Sequence, residues 1–210
     1  MAIILSELTK PQLRALRLLG ESGTSRASKV LSKWIHEPIS LTLTQVDILE
    51  LSAVPDLVGG HDVMIVAILL PLVGDIEGNF LLTFSEGAAQ EFVKKLTGKD
   101  APPLAEWGEM EQSVLQETGN ILASNFMNAI CGAMGIKSQP QSPMYAWDLA
   151  GALMEGVLLE YALEGDEVIL METTFVDSSG AIGSDSAKVD LFLIPTPASL
   201  ETLIKNLGIV

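Results

Sequence analysis

Apolar positions recur at helical spacing from Leu13 to Ile35, where Leu13, Leu16, Leu19, Val30 and Leu31 share one stripe. Pro38 stops that helix. "ISLTLTQVDILEL" (Ile39 to Leu51) is rich in β-branched residues and alternates at its start, which predicts a strand. "VMIVAILLPLV" (Val63 to Val73) is apolar on both pleat faces, so it predicts a central strand covered on two sides. "GDIEG" makes a turn into the hairpin partner "NFLLTF". Ser85 is placed to cap a helix through about Leu96, with Gly98 ending it.

After the connector "APPLAEWGEM" the order repeats. A helix is predicted from about Glu109 to Met134, and the Pro-rich turn "QPQSP" breaks the chain. A second helix follows from Asp148 to Tyr161. The strands "EVILMETTFV" and "KVDLFLIP" are joined by the loose "DSSGAIGSDSA", and Thr196 or Pro197 starts a last helix ending at Gly208. The repeat aligns directly. Leu13–Leu31 lies over Gln112–Ile130, matching Leu16 with Leu115, Gly20 with Gly119 and Ser25 with Ser124. "FLLTFSEGAAQEFVKKL" lies over "LFLIPTPASLETLIKNL". An α+β fold follows: a pseudo-two-fold duplicated unit with a largely antiparallel central sheet and long helices packed on it. The whole of 1–210 reads as a single domain, with repeat halves at about 8–100 and 107–210.

Composition narrows the function. The 210 residues are 48% hydrophobic, enough for a sizeable core. A net charge of −15 repels phosphate backbones and anionic headgroups, so neither nucleic acid nor membrane is expected as a partner. Such a chain attracts basic protein surfaces. Cys131 is the only cysteine, which excludes an intrachain disulfide. His36 and His61 have no second His or Cys nearby, so no metal site of the chain's own is expected. The N-terminus has a very short apolar run and no basic region before it, unlike a signal peptide, and a cytoplasmic location is expected.

The chemistry concentrates in "SVLQETGNILASN". On a helical wheel Ser113, Glu117, Asn120 and Ser124 fall within an arc of roughly 60°, and Val114, Leu115, Thr118, Ile121, Leu122, Phe126 and Ala129 gather on the far side. Gly119 costs about 1 kcal/mol relative to Ala inside a helix, so close approach of another surface is its expected compensation. No His stands near for a nucleophilic triad, and no carboxylate cluster for a metal. A carboxylate and a carboxamide at i and i+3 are neighbours on a helix. The amide can hold a water by donating and accepting, which suits phosphoryl transfer to water, where positioning supplies most of the help. The same pair also occurs on ordinary solvated helix surfaces.

This stretch resembles the signature helix of the CheC family of chemotaxis phosphatases, the CheC/CheX/FliY group. That signature reads Asp or Ser, three residues, Glu, two residues, Asn, and Ser113, Glu117 and Asn120 meet it, followed by the family's "GNI" at Gly119 to Ile121. The duplicated chain and the placement of "DLAGALMEG" extend the resemblance over nearly the whole length. It implies hydrolysis of the aspartyl phosphate of a CheY-like response-regulator receiver. Asn120 would orient the attacking water, Glu117 would pair with the receiver's active-site Lys, and Ser113 would support the face. No cofactor belongs to this chain, because the Mg²⁺ would sit on the receiver. In the first half the matching positions are Arg14, Leu18 and Glu21, which can make neither contact, so that site is degenerate. The resemblance also implies CheD, a receptor-modifying deamidase, as a possible partner of the helix from Asp148, with small Gly151 and Ala152 allowing approach. The alternative is a non-catalytic adaptor or scaffold that binds the phosphorylated receiver or CheD.

Overall fold

The structure, a computed structural model, describes residues 8–36, 38–161, 167–177 and 188–207. In chain order it contains α1 (Lys10–Ile35), β1 (Ile39–Glu50), a short α2 (Val54–Leu57), β2 (Met64–Gly74), β3 (Gly78–Ser85) and α3 (Glu86–Thr97). Then come α4 (Glu109–Met134), β4 (Ser138–Pro140), β5 (Met144–Leu149), α5 (Ala150–Tyr161), β6 (Glu167–Asp177), β7 (Lys188–Pro195) and α6 (Pro197–Leu207). Gly208 and most of "DSSGAIGSDSA" lie outside the described residues.

The local signals read in the sequence have physical counterparts. Ser85 Oγ accepts the N–H of Ala88 at 3.2 Å, and Gly98 closes α3 with φ 69°. The two long helices start alike. Gln12 Oε1 accepts from Thr9 N–H, and the aligned Glu111 Oε2 accepts from Gly108 N–H.

Among the described residues all seven strands join one antiparallel sheet in the order β1-β6-β7-β3-β2-β4, with β5 also on β2. The order is palindromic about the β7–β3 contact. At its centre Leu81 pairs with Phe192, the residue that the sequence alignment lays over it. A pseudo-two-fold axis therefore pierces the sheet at that pair. Each half lends a strand to the other: β1 pairs with β6, and β4 and β5 pair with β2.

Because the axis is perpendicular to the sheet, it sets α1 and α4 antiparallel on the same face. They meet where a Cβ on Gly23 would lie 3.0 Å from Phe126 Cα. Beneath them Leu16, Leu31, Leu115, Leu122 and Phe126 pack on Leu41, Val66, Ile68, Phe80, Leu82 and Met171. Each buried side chain of this size contributes about 1.5–3 kcal/mol. A smaller core on the opposite face joins Ala67, Leu81, Leu170 and Phe192 to Met154, Val157, Leu51 and Val54. Both faces of β2 are thus covered, as its double-sided apolar pattern predicts.

Two expectations need correction. "QPQSP" is not merely a turn, since it begins within β4, and Asp148 is not helical: it lies in β5, paired with Ile65, and α5 starts at Ala150. The short run Met144–Leu149 fits a strand or a helix locally, and pairing with β2 decides it. Pro71 explains the gap between β4 and β5. Its carbonyl accepts from Gln141 N–H at 2.8 Å, so its nitrogen, which has no hydrogen, faces the point where the neighbouring strand is interrupted. The counterpart strand β1 carries its own irregularity between Leu43 and Gln45.

Candidate functional site

α4 carries the predicted polar face, and the sheet fixes its rotation. Gly119 is buried against β2: a Cβ there would stand 2.8 Å from Ile68 Cγ2 and 3.6 Å from Leu70 Cδ1. Gly20 makes the matching approach on α1, with a Cβ position 2.8 Å from Leu43 Cδ2. With Leu115, Leu122 and Phe126 fully buried on the same side, the opposite face must point outward.

Ser113 and Glu117 are exposed on that face, and Asn120 and Ser124 are half-buried. Among the described residues no hydrogen bond or ion pair engages the side chains of Ser113, Glu117 or Asn120. Their neighbours are occupied. Thr118 Oγ1 donates to Val114 O at 2.9 Å, and Asn125 Nδ2 donates to Ile121 O at 2.8 Å. The pair at Glu117 and Asn120 therefore combines a free carboxylate with a free carboxamide one turn apart, on a backbone pressed against the sheet. Such a pair can accept a cation from a partner and hold a water without first breaking an internal contact.

The sequence reading passed over Gln116. Its Nε2 donates to Pro143 O at 2.9 Å and ties the site's turn of α4 to the link between β4 and β5. The signal available was a polar residue on the flank of the stripe rather than within it.

The first-half counterparts lie on the outer face of α1. Arg14, Leu18 and Glu21 are all exposed, and Glu21 is held by Arg17 Nε at 3.2 Å. At the third candidate surface the structure separates the residues. Asp148 is exposed, but its Oδ1 turns back to accept the N–H of Leu149 at 2.7 Å. Gly151 does not offer room to a partner: it is buried, and a Cβ there would lie 3.0 Å from His61 Nδ1. Its small size serves an internal contact, sealed by the bond from Gly151 N–H to His61 O at 3.0 Å. Ala152 is exposed.

Among the described residues no group of three or more His, Cys, Asp or Glu could hold a metal ion, and no helix is long and apolar enough to cross a membrane. Burial pushes the Cys131 thiol above its ordinary range.

A duplicated α+β unit with an interlocked antiparallel sheet and one long helix per half is the fold of the CheC/CheX/FliY group. FliY of Thermotoga maritima superposes with a TM-score of 0.73 at 14% identity, over 96% of this chain and 98% of that one. The chain is CheC-like in sequence as well: it is 26% identical over 207 residues to CheC of Bacillus subtilis (strain 168), a CheY-P phosphatase, covering 98% of each. CheX in the CheX–CheY–BeF3–Mg²⁺ complex from Borrelia burgdorferi is similar at a TM-score of 0.51 and 18% identity, over 84% of this chain and 96% of that one. No protein-family model matches the chain.

Proposed function

We propose that this chain hydrolyses the aspartyl phosphate of a CheY-like receiver, using one working face on α4. The observation that carries the proposal is the pair Glu117 and Asn120, adjacent on the outer side of α4 and without a partner among the described residues. Glu117 meets the receiver's active-site Lys, and Asn120 reaches beside the phosphoryl group and aligns the attacking water. The receiver supplies the phosphorylated Asp and the Mg²⁺. Phosphoryl transfer needs little covalent help from the protein, so positioning and charge placement suffice. Ser113 stands one turn before Glu117 and lines the approach. The name of the Bacillus relative and the CheX–CheY complex support the choice of partner.

Arg14, Leu18 and Glu21 cannot repeat this chemistry. Leu18 has no charge to meet a Lys, and Glu21 presents an anion toward a phosphoryl group.

The test follows loss of phosphate from a phosphorylated CheY-like receiver in Mg²⁺, with and without this protein. Wild type accelerates the loss. Asn120→Ala lowers that acceleration by about 100-fold or more, the scale of losing one positioned polar group. Unchanged decay of the phosphate, accompanied by tight binding, refutes turnover and leaves a receiver-binding adaptor.

A further inference from the structure

The two long helices have matching shape and inverted chemistry. α1 carries six of the chain's twelve Lys and Arg residues, Lys10, Arg14, Arg17, Arg26, Lys29 and Lys33, against the single acid Glu21. All six cations are exposed. α4 carries Glu109, Glu111 and Glu117 and no cation. Where α4 presents Ser113, Gln116 and Glu117, α1 presents Arg14, Arg17 and Leu18.

Each face also bears an apolar side chain that the fold leaves in water. Leu18 is 66% exposed and Met110 is 56% exposed, the two highest values among the exposed large apolar residues described. An apolar residue within a polar rim is a common centre for a protein contact.

We propose that this chain self-associates as a reciprocal pair, α1 of each copy lying on α4 of the other, and that the pair covers Glu117 and Asn120. Arg14, together with Arg17 once it exchanges its intrahelical partner Glu21, meets Glu109 and Glu117 of the second copy, and Leu18 meets its Met110. The pseudo-two-fold axis sets the basic and acidic faces side by side, antiparallel, on one side of the sheet. A second copy turned about an axis in the plane of that helix layer and oblique to the helices crosses the N-terminal turns of α1 over those of α4 twice, as a closed symmetric dimer requires. The net charge of −15 opposes association at long range. At physiological salt the screening length is about 8 Å, so the contact is governed by the facing helices. The dimer is a weak, reversible one. Its consequence for activity rests on the proposed role of α4: a covered Asn120 cannot reach a receiver.

Sedimentation at about 0.15 M salt tests the contact. Wild type shifts from monomer mass toward dimer mass as concentration rises. Two exposed-surface variants, Arg14→Glu/Arg17→Glu and Glu109→Arg/Met110→Arg, each stay monomeric because like charges then face each other. Mixed in equal amounts they form a dimer, since both contacts are complementary again. Circular dichroism matching wild type shows that each variant is folded. A wild type that stays monomeric up to about 1 mM, the weak limit of specific contacts, overturns the proposal, as does a mixture that fails to pair. The same samples separate the proposal from the reading of α4. Activity per molecule on the phosphorylated receiver rises on dilution of wild type and is independent of dilution for Arg14→Glu/Arg17→Glu. A dimer with no activity in that monomeric variant refutes the phosphatase reading and leaves the dimer standing, and activity without a dimer does the reverse.

Discussion

Gly119 and Ile68 touch so closely that a methyl group on the glycine would stand 2.8 Å from Ile68 Cγ2. This contact fixes both the height and the rotation of α4 over β2, and so the direction in which Glu117 and Asn120 point. Gly119→Ala should gain about 1 kcal/mol of helix propensity and lose about 1–3 kcal/mol to overpacking, for a net destabilisation. Ile68→Ala, which removes Cγ2, the atom nearest the glycine, should recover part of that loss in the double variant. Denaturant midpoints of the four chains of this cycle measure the coupling; independent, additive effects would contradict the contact.

Function and stability should separate at the outer face. Asn120→Ala removes a side chain with no partner among the described residues, so its unfolding free energy should stay within about 0.5 kcal/mol of wild type. Phosphate loss from the receiver should nevertheless drop steeply. A large fall in thermal midpoint would mean that the amide is structural.

Glu117→Gln keeps shape and removes charge. It should weaken the complex with a phosphorylated receiver by about tenfold or more, as expected for one lost interfacial ion pair. Calorimetric titration with a stable phosphoryl analogue on the receiver measures this directly.

His36 ends α1 with φ 61°, in the left-handed region, where the aligned residue at the end of α4 is Gly135 with φ 68°. A side chain in this conformation is strained by about 1 kcal/mol. His36→Gly should therefore raise stability by about 0.5–1 kcal/mol, and Gly135→His should lower it comparably. Paired thermal melts check both signs.

The Cys131 thiol is buried, and that burial raises its pKa above the ordinary value. The neutral thiol is then favoured in the native state, and the reactive thiolate forms only at a pH higher than in the unfolded chain. A thiol reagent at pH 8 should label the denatured protein quickly and the native protein slowly. Equal rates would place the sulfur at the surface.

Much of this architecture was legible in the sequence because its signals were local and repeated. The cap at Ser85, the end at Gly98 and the helical spacing of Leu16, Leu19 and Leu31 act within a turn or two of chain, and the structure keeps each of them. The duplication was legible because the two halves align residue by residue, and the structure pairs the aligned Leu81 and Phe192. Boundaries set by distant contacts were not legible. Met144–Leu149 is a strand because β2 is beside it, and nothing in those six residues announces that neighbour. Gly151 looked open because small residues admit any surface, and only the fold shows that His61 fills the space. At the candidate site the stripe of Ser113, Glu117 and Asn120 followed from helical geometry alone. The brace from Gln116 to Pro143 did not, because it depends on where a loop returns.

The exchange of strands between halves has a consequence for biosynthesis. When the first hundred residues leave the ribosome, β1 has no sheet neighbour of its own, because its partner β6 lies more than a hundred positions further on. Its unpaired backbone edge must wait, solvated or chaperoned, until nearly the whole chain has emerged. Cutting the chain between α3 and α4 should accordingly yield two fragments that are soluble and ordered only when they are made together.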